Sequence, residues 1–189
     1  MNKTHQIAYY IRKKKMYLIS IYFDEKTEFK IRGYINQIAK HTGNTCMLDG
    51  NVPPHITIAG FKTNCEETAK KLFLGVSKEI CSECIQWVSV GAFLPGVLYI
   101  TPVLNEYLHQ LSETYNNEAV KYEDLQIDQR YIPFQWLPHT TLAKHLTGLQ
   151  MKKAFEVIQS QFAPFDGNVV KIGLAKTNPY QELLCFELK

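Results

Sequence analysis

The chain has 189 residues, 46% of them hydrophobic and 21% charged, enough for one compact domain or two closely packed lobes with a sizeable core. That balance excludes a disordered, collagenous or coiled-coil chain, and no run approaches the roughly 20 apolar residues of a membrane-spanning helix. The net charge of +3 is unevenly spread: Lys3, Arg12, Lys13, Lys14 and Lys15 put +5 on residues 1–15, leaving 16 basic and 18 acidic side chains, a net of −2, in 16–189. A body with that balance is not a general polyanion binder, so any affinity for nucleic acid must come from a local site. Residues 1–15 are expected to form a solvated basic extension, without the apolar stretch of a signal peptide. The 5 cysteines (Cys46, Cys65, Cys81, Cys84 and Cys185) are odd in number and unlike a disulfide framework, so a reducing cytoplasm is expected. Cys81 and Cys84 have C-x-x-C spacing, but no second such pair completes a zinc site, and they read as reduced structural residues.

From residue 16 onward, strands and helices alternate. Residues 16–23 (MYLISIYF) read as a strand, followed by a loose helical pattern at Phe29, Ile31, Ile35 and Ile38. A Gly- and Pro-rich connection over 42–54 leads into a strand at 55–61. Ala69, Leu72, Phe73, Val76 and Ile80 then repeat at helical spacing, with Asn64 and Glu67 set for a capping box. A strand is expected at 84–91 and another at 97–102, on either side of Pro95-Gly96. Leu104, Tyr107, Leu108, Leu111 and Tyr115 mark the next helix. Residues 121–138 form a long connection containing Tyr122, Arg130, Tyr131, Phe134 and Trp136. Its aromatic and Arg side chains could stack on a base and pair with phosphate, or could simply pin the loop to the body. After a strand at 139–144 comes a helix with Met151, Ala154, Phe155, Ile158 and Phe162, preceded by a second capping-box pair, Thr147 and Gln150. Strands at 168–176 and 182–188 close the chain. In the last, Leu184, Phe186 and Leu188 alternate with Cys185, Glu187 and Lys189, the period of a half-buried strand. That alternation favours an antiparallel α+β sheet over a doubly wound parallel one.

The order of elements suggests one unit used twice, and one motif makes the duplication concrete. Residues 54–59 read Pro-His-Ile-Thr-Ile-Ala and residues 138–143 read Pro-His-Thr-Thr-Leu-Ala. On a strand, residues two apart share a face, so His55 lies beside Thr57 and His139 beside Thr141, with the intervening residues facing the core. A lone His-x-Thr says little; two copies at equivalent places in a repeat point to a shared site. Imidazole is the side chain that can be neutral or charged near pH 7. One neutral His can accept a proton from water or a ribose hydroxyl while the other, protonated, supplies one to a leaving oxygen. The two hydroxyls can donate to non-bridging oxygens where charge gathers. This chemistry requires no metal. His5, His41, His109 and His145 have no such pattern and are expected at the surface or in loops.

His55-Ile-Thr57 and His139-Thr-Thr141, in a duplicated frame of this size, resemble the two-histidine (2H) phosphoesterase superfamily, the group of RNA 2'-5' ligase-like proteins and cyclic nucleotide phosphodiesterases. The resemblance covers about residues 16–189. It implies two pseudo-symmetric lobes, each an antiparallel sheet with helices on its outer face, and an active cleft between them. His55 and His139 would be catalytic, Thr57 and Thr141 would bind phosphate, and Lys144 occupies the place of a basic residue common after the second motif. Thr140 departs from the usual hydrophobic residue between His and Thr. The expected organisation is a basic extension over 1–15 and one bilobal domain over 16–189, with lobes over about 16–95 and 96–189. The expected activity is metal-independent and cofactor-free, on 2',3'-cyclic phosphate ends or 2'-5' linkages of RNA or nucleotides, by a monomer without membrane or obligate protein partners. The competing expectations are a non-catalytic RNA- or nucleotide-binding module of the same fold and a His/Cys metal protein; no H-E-x-x-H or equivalent spacing supports the latter.

Overall fold

The structure, a computed structural model, describes residues 14–189, so all but the end of the basic extension lies outside the described residues. The elements in chain order are β1 (Lys15–Phe23), α1 (Glu25–Thr42), a short α2 (Cys46–Asp49), β2 (His55–Thr63), α3 (Glu66–Ser77), β3 (Glu83–Phe93), β4 (Val97–Pro102), α4 (Glu106–Ala119), a two-residue β5 (Gln126–Ile127), a 3-10 turn (Gln129–Tyr131), β6 (Thr140–Ala143), α5 (Gly148–Gln159), β7 (Phe165–Lys176) and β8 (Gln181–Glu187). The fold is α+β with antiparallel pairing throughout, as the alternation in the last strand suggested.

The strands run β5-β2-β1-β7-β3-β4-β6, with β8 added to β7. Val169 pairs with Phe23 of β1 and with Glu83 of β3, so the long β7 joins two halves. In one half β1 lies between β2 and β7; in the other β4 lies between β6 and β3. Each central strand therefore takes one neighbour from its own half of the sequence and one from the other half. The helices follow the same exchange: α1 packs with α5 on β6, and α4 packs with α3 on β2. The sequence halves 16–95 and 96–189 thus interlock, and neither face can be buried without both.

Local signals account for most of the elements. Asp24 caps α1 by accepting the Thr27 amide N–H at 2.7 Å, and Gly43 ends it in the left-handed conformation at φ 71°. Asn105 caps α4. Thr147 and Gln150 form the expected reciprocal capping box on α5. The other expected box does not form: Cys65, not Asn64, is the N-cap of α3, and it makes no side-chain capping bond. The helix starts one residue later than the pattern implied, which removes Asn64 from capping geometry. Ile31, Ile35 and Ile38 of α1, Leu72 and Phe73 of α3, Leu108 and Tyr115 of α4, and Ala154 and Ile158 of α5 all face the core. At its centre Trp87 stacks on Phe165 (ring centroids 5.0 Å apart) and meets Phe23 edge-on at 4.9 Å, contacts worth about 0.5–1.5 kcal/mol each beyond their buried area. Among the described residues no helix is long and apolar enough to cross a membrane.

Candidate active site

β2 and β6 stand near opposite ends of the strand order, yet they approach each other directly because the sheet curls round on itself. The curl brings the two His-x-Thr motifs together. His55 is the first residue of β2, and His139 immediately precedes β6. Ile56, Ile58 and Leu142 are buried on the opposite face, as the strand period requires. Thr140 is also fully buried, and its hydroxyl accepts the indole N–H of Trp87 at 3.3 Å. A threonine stands where an aliphatic residue was expected because a buried donor needs an acceptor there.

The two histidines are held in the same way. His55 Nδ1 donates to the Pro53 carbonyl at 2.8 Å, and His139 Nδ1 donates to the Leu137 carbonyl at 2.9 Å. A carbonyl only accepts, so Nδ1 carries the hydrogen in both rings. In the neutral rings Nε2 is therefore the basic nitrogen, and among the described residues neither Nε2 has a protein partner. Both strands also carry a bulge directly after the threonine. Ile19 pairs with Ala59 but Ser20 with Thr57, leaving Ile58 over; Leu98 pairs with Ala143 but Tyr99 with Thr141, leaving Leu142 over. Bulges of this kind re-aim side chains beside functional sites.

Each imidazole is backed by a tyrosine from the neighbouring central strand. Tyr22 of β1 lies 6.2 Å from His55, and Tyr99 of β4 lies 5.3 Å from His139, with Phe93 edge-on to His139 at 4.9 Å. A glycine on the exchanged third strand makes room for each phenol: a Cβ at Gly173 would come 2.9 Å from the Tyr22 ring, and one at Gly91 would come 2.6 Å from the Tyr99 ring. Sequence reading gave no reason to single out these tyrosines or glycines, since they lie far from the motifs along the chain.

Two cavities flank the motif strands. One, of about 600 Å³, is lined by His139, Phe93, Arg130, Tyr131, Gln135 and Leu137; the other, of about 540 Å³, by His55, Tyr22, Met47, Val52, Asn178 and Tyr180. Thr141 and Lys144 line both and so mark the point where the cavities meet. Thr57 is placed differently. It is only 7% exposed and lines neither cavity, with its hydroxyl 3.4 Å from that of Ser20.

Burial pushes the pKa of both histidines below the ordinary imidazole value, opposed in each by the bond to the backbone carbonyl. His55 is pushed down further by the charges of His139 and Lys144. The 121–138 connection contributes both to the core and to a cavity wall. Trp136 is buried and pins the loop, whereas Arg130 and Tyr131 line the His139 cavity. Arg130 Nε and Nη2 also grip Asp128 at 2.9 and 2.6 Å. Of the remaining histidines, His41 bonds the Gln37 carbonyl, His109 lies against exposed Phe134, His145 is exposed, and His5 lies outside the described residues. The five cysteines are free, and among the described residues no His, Cys, Asp and Glu side chains gather as a metal-binding group.

An α+β sheet of exchanged halves that brings two tautomer-fixed histidines to a pair of joined cavities defines a paired-histidine protein. The chain belongs to the 2'-5' RNA ligase superfamily, whose model matches residues 28–181, and with that membership it is a phosphoesterase-like enzyme. Solved structures share the fold. E. coli LigT complexed with 3'-AMP aligns at TM-score 0.62 and 15% identity over 94% of this chain and 99% of that one. A phosphoesterase aligns at TM-score 0.60 and 20% identity over 94% and 99%, and a protein of Thermus thermophilus, TT0787, at 0.61 and 16% over 92% and 97%. The comparison with curated proteins gives no match.

Proposed function

We propose that the chain opens 2',3'-cyclic phosphates, or cleaves or joins 2'-5' linkages, of RNA or nucleotides by acid–base catalysis between His55 and His139, without metal or cofactor. The observation that carries this reading is the matched pair of Nδ1–carbonyl bonds, which leaves two Nε2 atoms for proton transfer beside Thr141 and Lys144. E. coli LigT, which shares the fold, has been solved with 3'-AMP and with phosphate, ligands of the same chemical class.

In cyclic-phosphate opening, the neutral imidazole takes a proton from water as the water oxygen bonds to phosphorus. The bond from phosphorus to the 3'-oxygen breaks, and the imidazolium gives its proton to that oxygen, leaving a 2'-phosphate. The next turnover requires the protons to exchange back through solvent. We assign His55 as the base, because the charges of His139 and Lys144 favour its neutral form, and His139 as the acid. The roles swap when the reaction reverses, so the same pair serves cleavage and joining. Thr57, Thr141 and the Lys144 ammonium stabilise the charge that gathers on the non-bridging oxygens. The body of the protein works in the cytoplasm as a monomer on RNA ends or small nucleotides.

The test is to present 2',3'-cyclic AMP, a 2'-5' diadenylate and cyclic-phosphate-ended RNA in EDTA and identify the product. Turnover to a 2'-phosphate, or cleavage of the 2'-5' bond, supports the reading. Binding of all three without any bond change would favour a non-catalytic nucleotide-binding module.

A further inference from the structure

Arg130 is not part of either motif, yet it stands where the His139 cavity meets a second, smaller hollow. That hollow, of about 290 Å³, is formed by Arg130, Lys62 of β2 and the segment from Gln126 to Gln129. Several interactions fix the wall between the two. Phe61 and Lys62 pair with Ile127 and Gln126 of β5, and the Asp128 amide donates to the Gly60 carbonyl at 2.8 Å. The Tyr131 amide donates to the Asp128 carbonyl at 3.0 Å, and the Tyr131 carbonyl accepts from Asn116 Nδ2 of α4 at 2.9 Å. The Tyr131 ring lies against Gly60, where a Cβ would fall 2.6 Å from Cδ2, so this approach requires glycine. Asp128 then holds the Arg130 guanidinium from one side, accepting from Nε at 2.9 Å and from Nη2 at 2.6 Å.

The pair is unequal in exposure: the Arg130 side chain is 73% exposed and that of Asp128 only 9%. The carboxylate lies beneath the guanidinium, so an approaching anion meets donors rather than an acceptor. Asp128 engages Nε and Nη2, which leaves Nη1 to donate from a plane that is already fixed. Lys62 stands directly opposite Gln126 on the neighbouring strand, and both are exposed, as is Gln129. Among the described residues, Asp128 is the only carboxylate lining either hollow, against three cations, Lys144, Arg130 and Lys62. A body of net negative charge has no general attraction for a polyanion, and a local line of cations supplies it. We propose that an RNA strand leaves the His139 cavity across Arg130 and onto Lys62, which hold phosphates further along the strand from the reacting one. The preferred substrate is then the end of a single-stranded RNA, with a cyclic mononucleotide as the minimal one. This rests on the phosphoesterase reading above.

The experiment compares kcat/KM on three probes: 2',3'-cyclic AMP, an adenosine trinucleotide ending in a 2',3'-cyclic phosphate, and that trinucleotide with uncharged methylphosphonates at both internal linkages. Wild type, Lys62→Gln, Arg130→Gln and Lys153→Gln are measured over a series of salt concentrations, with unfolding followed for each. Lys153 is exposed on α5 and lines neither hollow, so its loss removes the same charge elsewhere. The wild type is expected to prefer the charged trinucleotide to cyclic AMP by roughly tenfold, the scale of one charge-assisted hydrogen bond, and to lose that preference on the methylphosphonate backbone. Lys62→Gln should remove most of the preference and flatten the log–log salt slope for the trinucleotide by about 0.7, the value for one phosphate of a single strand. Lys153→Gln should keep both. Arg130→Gln should also lose the preference, but it strands the Asp128 carboxylate, so Lys62→Gln decides if that variant unfolds early. A trinucleotide preference that is absent in the wild type, undiminished in Lys62→Gln or retained on the methylphosphonate backbone would overturn the assignment. Failure of the wild-type chain to turn over any of the three probes would instead overturn the phosphoesterase reading, and this inference with it.

Discussion

Thr140→Val isolates the structural role of the residue inside the second motif. Both Thr140 and Trp87 are fully buried, and the Thr140 hydroxyl accepts the indole N–H at 3.3 Å. Trp87 is also fixed by stacking on Phe165 and by the edge of Phe23, so its ring cannot turn to another acceptor or to water. Valine keeps the branched shape and rotamer preference and removes only the acceptor. A buried donor left unpaired costs about 1–3 kcal/mol. The bond is at the long end of the N–H···O range, which sets the expected loss at about 1–2 kcal/mol. In a domain of this size each kcal/mol moves the midpoint by about 2–4 °C, so Tm should fall by roughly 2–8 °C. Thermal and urea unfolding measure the loss. The same substitution made in a Trp87→Phe background should cost about 1 kcal/mol less, because the donor is already gone. Equal costs in the two backgrounds, or an unchanged Tm, would refute the reasoning.

Because burial pushes both imidazoles down, kcat/KM should follow a bell whose maximum lies on the acid side of the ordinary value of 6.5; a maximum above pH 7 would contradict that direction. The same shifts bear on stability. A histidine whose folded pKa lies below its unfolded value contributes stability that is fully present above about pH 6.5 and is lost as pH falls through the folded value. The Tm of a His55→Gln/His139→Gln variant should therefore fall less steeply than the wild type's below pH 6.5, and parallel slopes would exclude these residues as the cause. Gly91→Ala should displace Tyr99 from His139 and lower kcat/KM by roughly ten- to a hundredfold, the scale of a small misplacement at a reacting group. Gly167→Ala, which crowds Thr27 and Trp87 away from the motifs, should reduce stability and spare kcat/KM; the opposite pattern would refute the link between Gly91 and the site.

Features with a short period could be read from the sequence. The helical stripes of α3, α4 and α5, the capping box at Thr147, the alternation of β8 and the paired His-x-Thr strands all appear within windows of a dozen residues. Features that depend on pairing between distant strands could not. The exchange of β3 and β7 between the halves, the bulges at Ile58 and Leu142, and the glycine–tyrosine contacts of Gly91 with Tyr99 and Gly173 with Tyr22 rest on strand pairings that no local pattern announces. Tyr131 shows the difference most clearly. Its aromatic character was visible in the 121–138 connection, but its place over Gly60 comes from β5 and Asn116, neither of which has a recognisable local pattern. Thr140 looked like a departure from a hydrophobic position only because its partner, Trp87, lies 53 residues earlier.

The division of acid and base between the histidines is tested most directly with a substrate whose leaving group needs no proton. In adenosine 2'-(p-nitrophenyl phosphate) the 3'-hydroxyl attacks phosphorus, its proton goes to the base, and p-nitrophenolate departs unaided. Attack by the 3'-hydroxyl reverses the opening step, so the base here is His139: release of p-nitrophenolate should survive in His55→Ala, within about tenfold of the wild-type kcat/KM, while His139→Ala should lose the roughly 10²–10⁴-fold typical of a positioned proton-transfer group. Equal activity of the two variants on this ester, whether both active or both inactive, would contradict a paired acid–base mechanism.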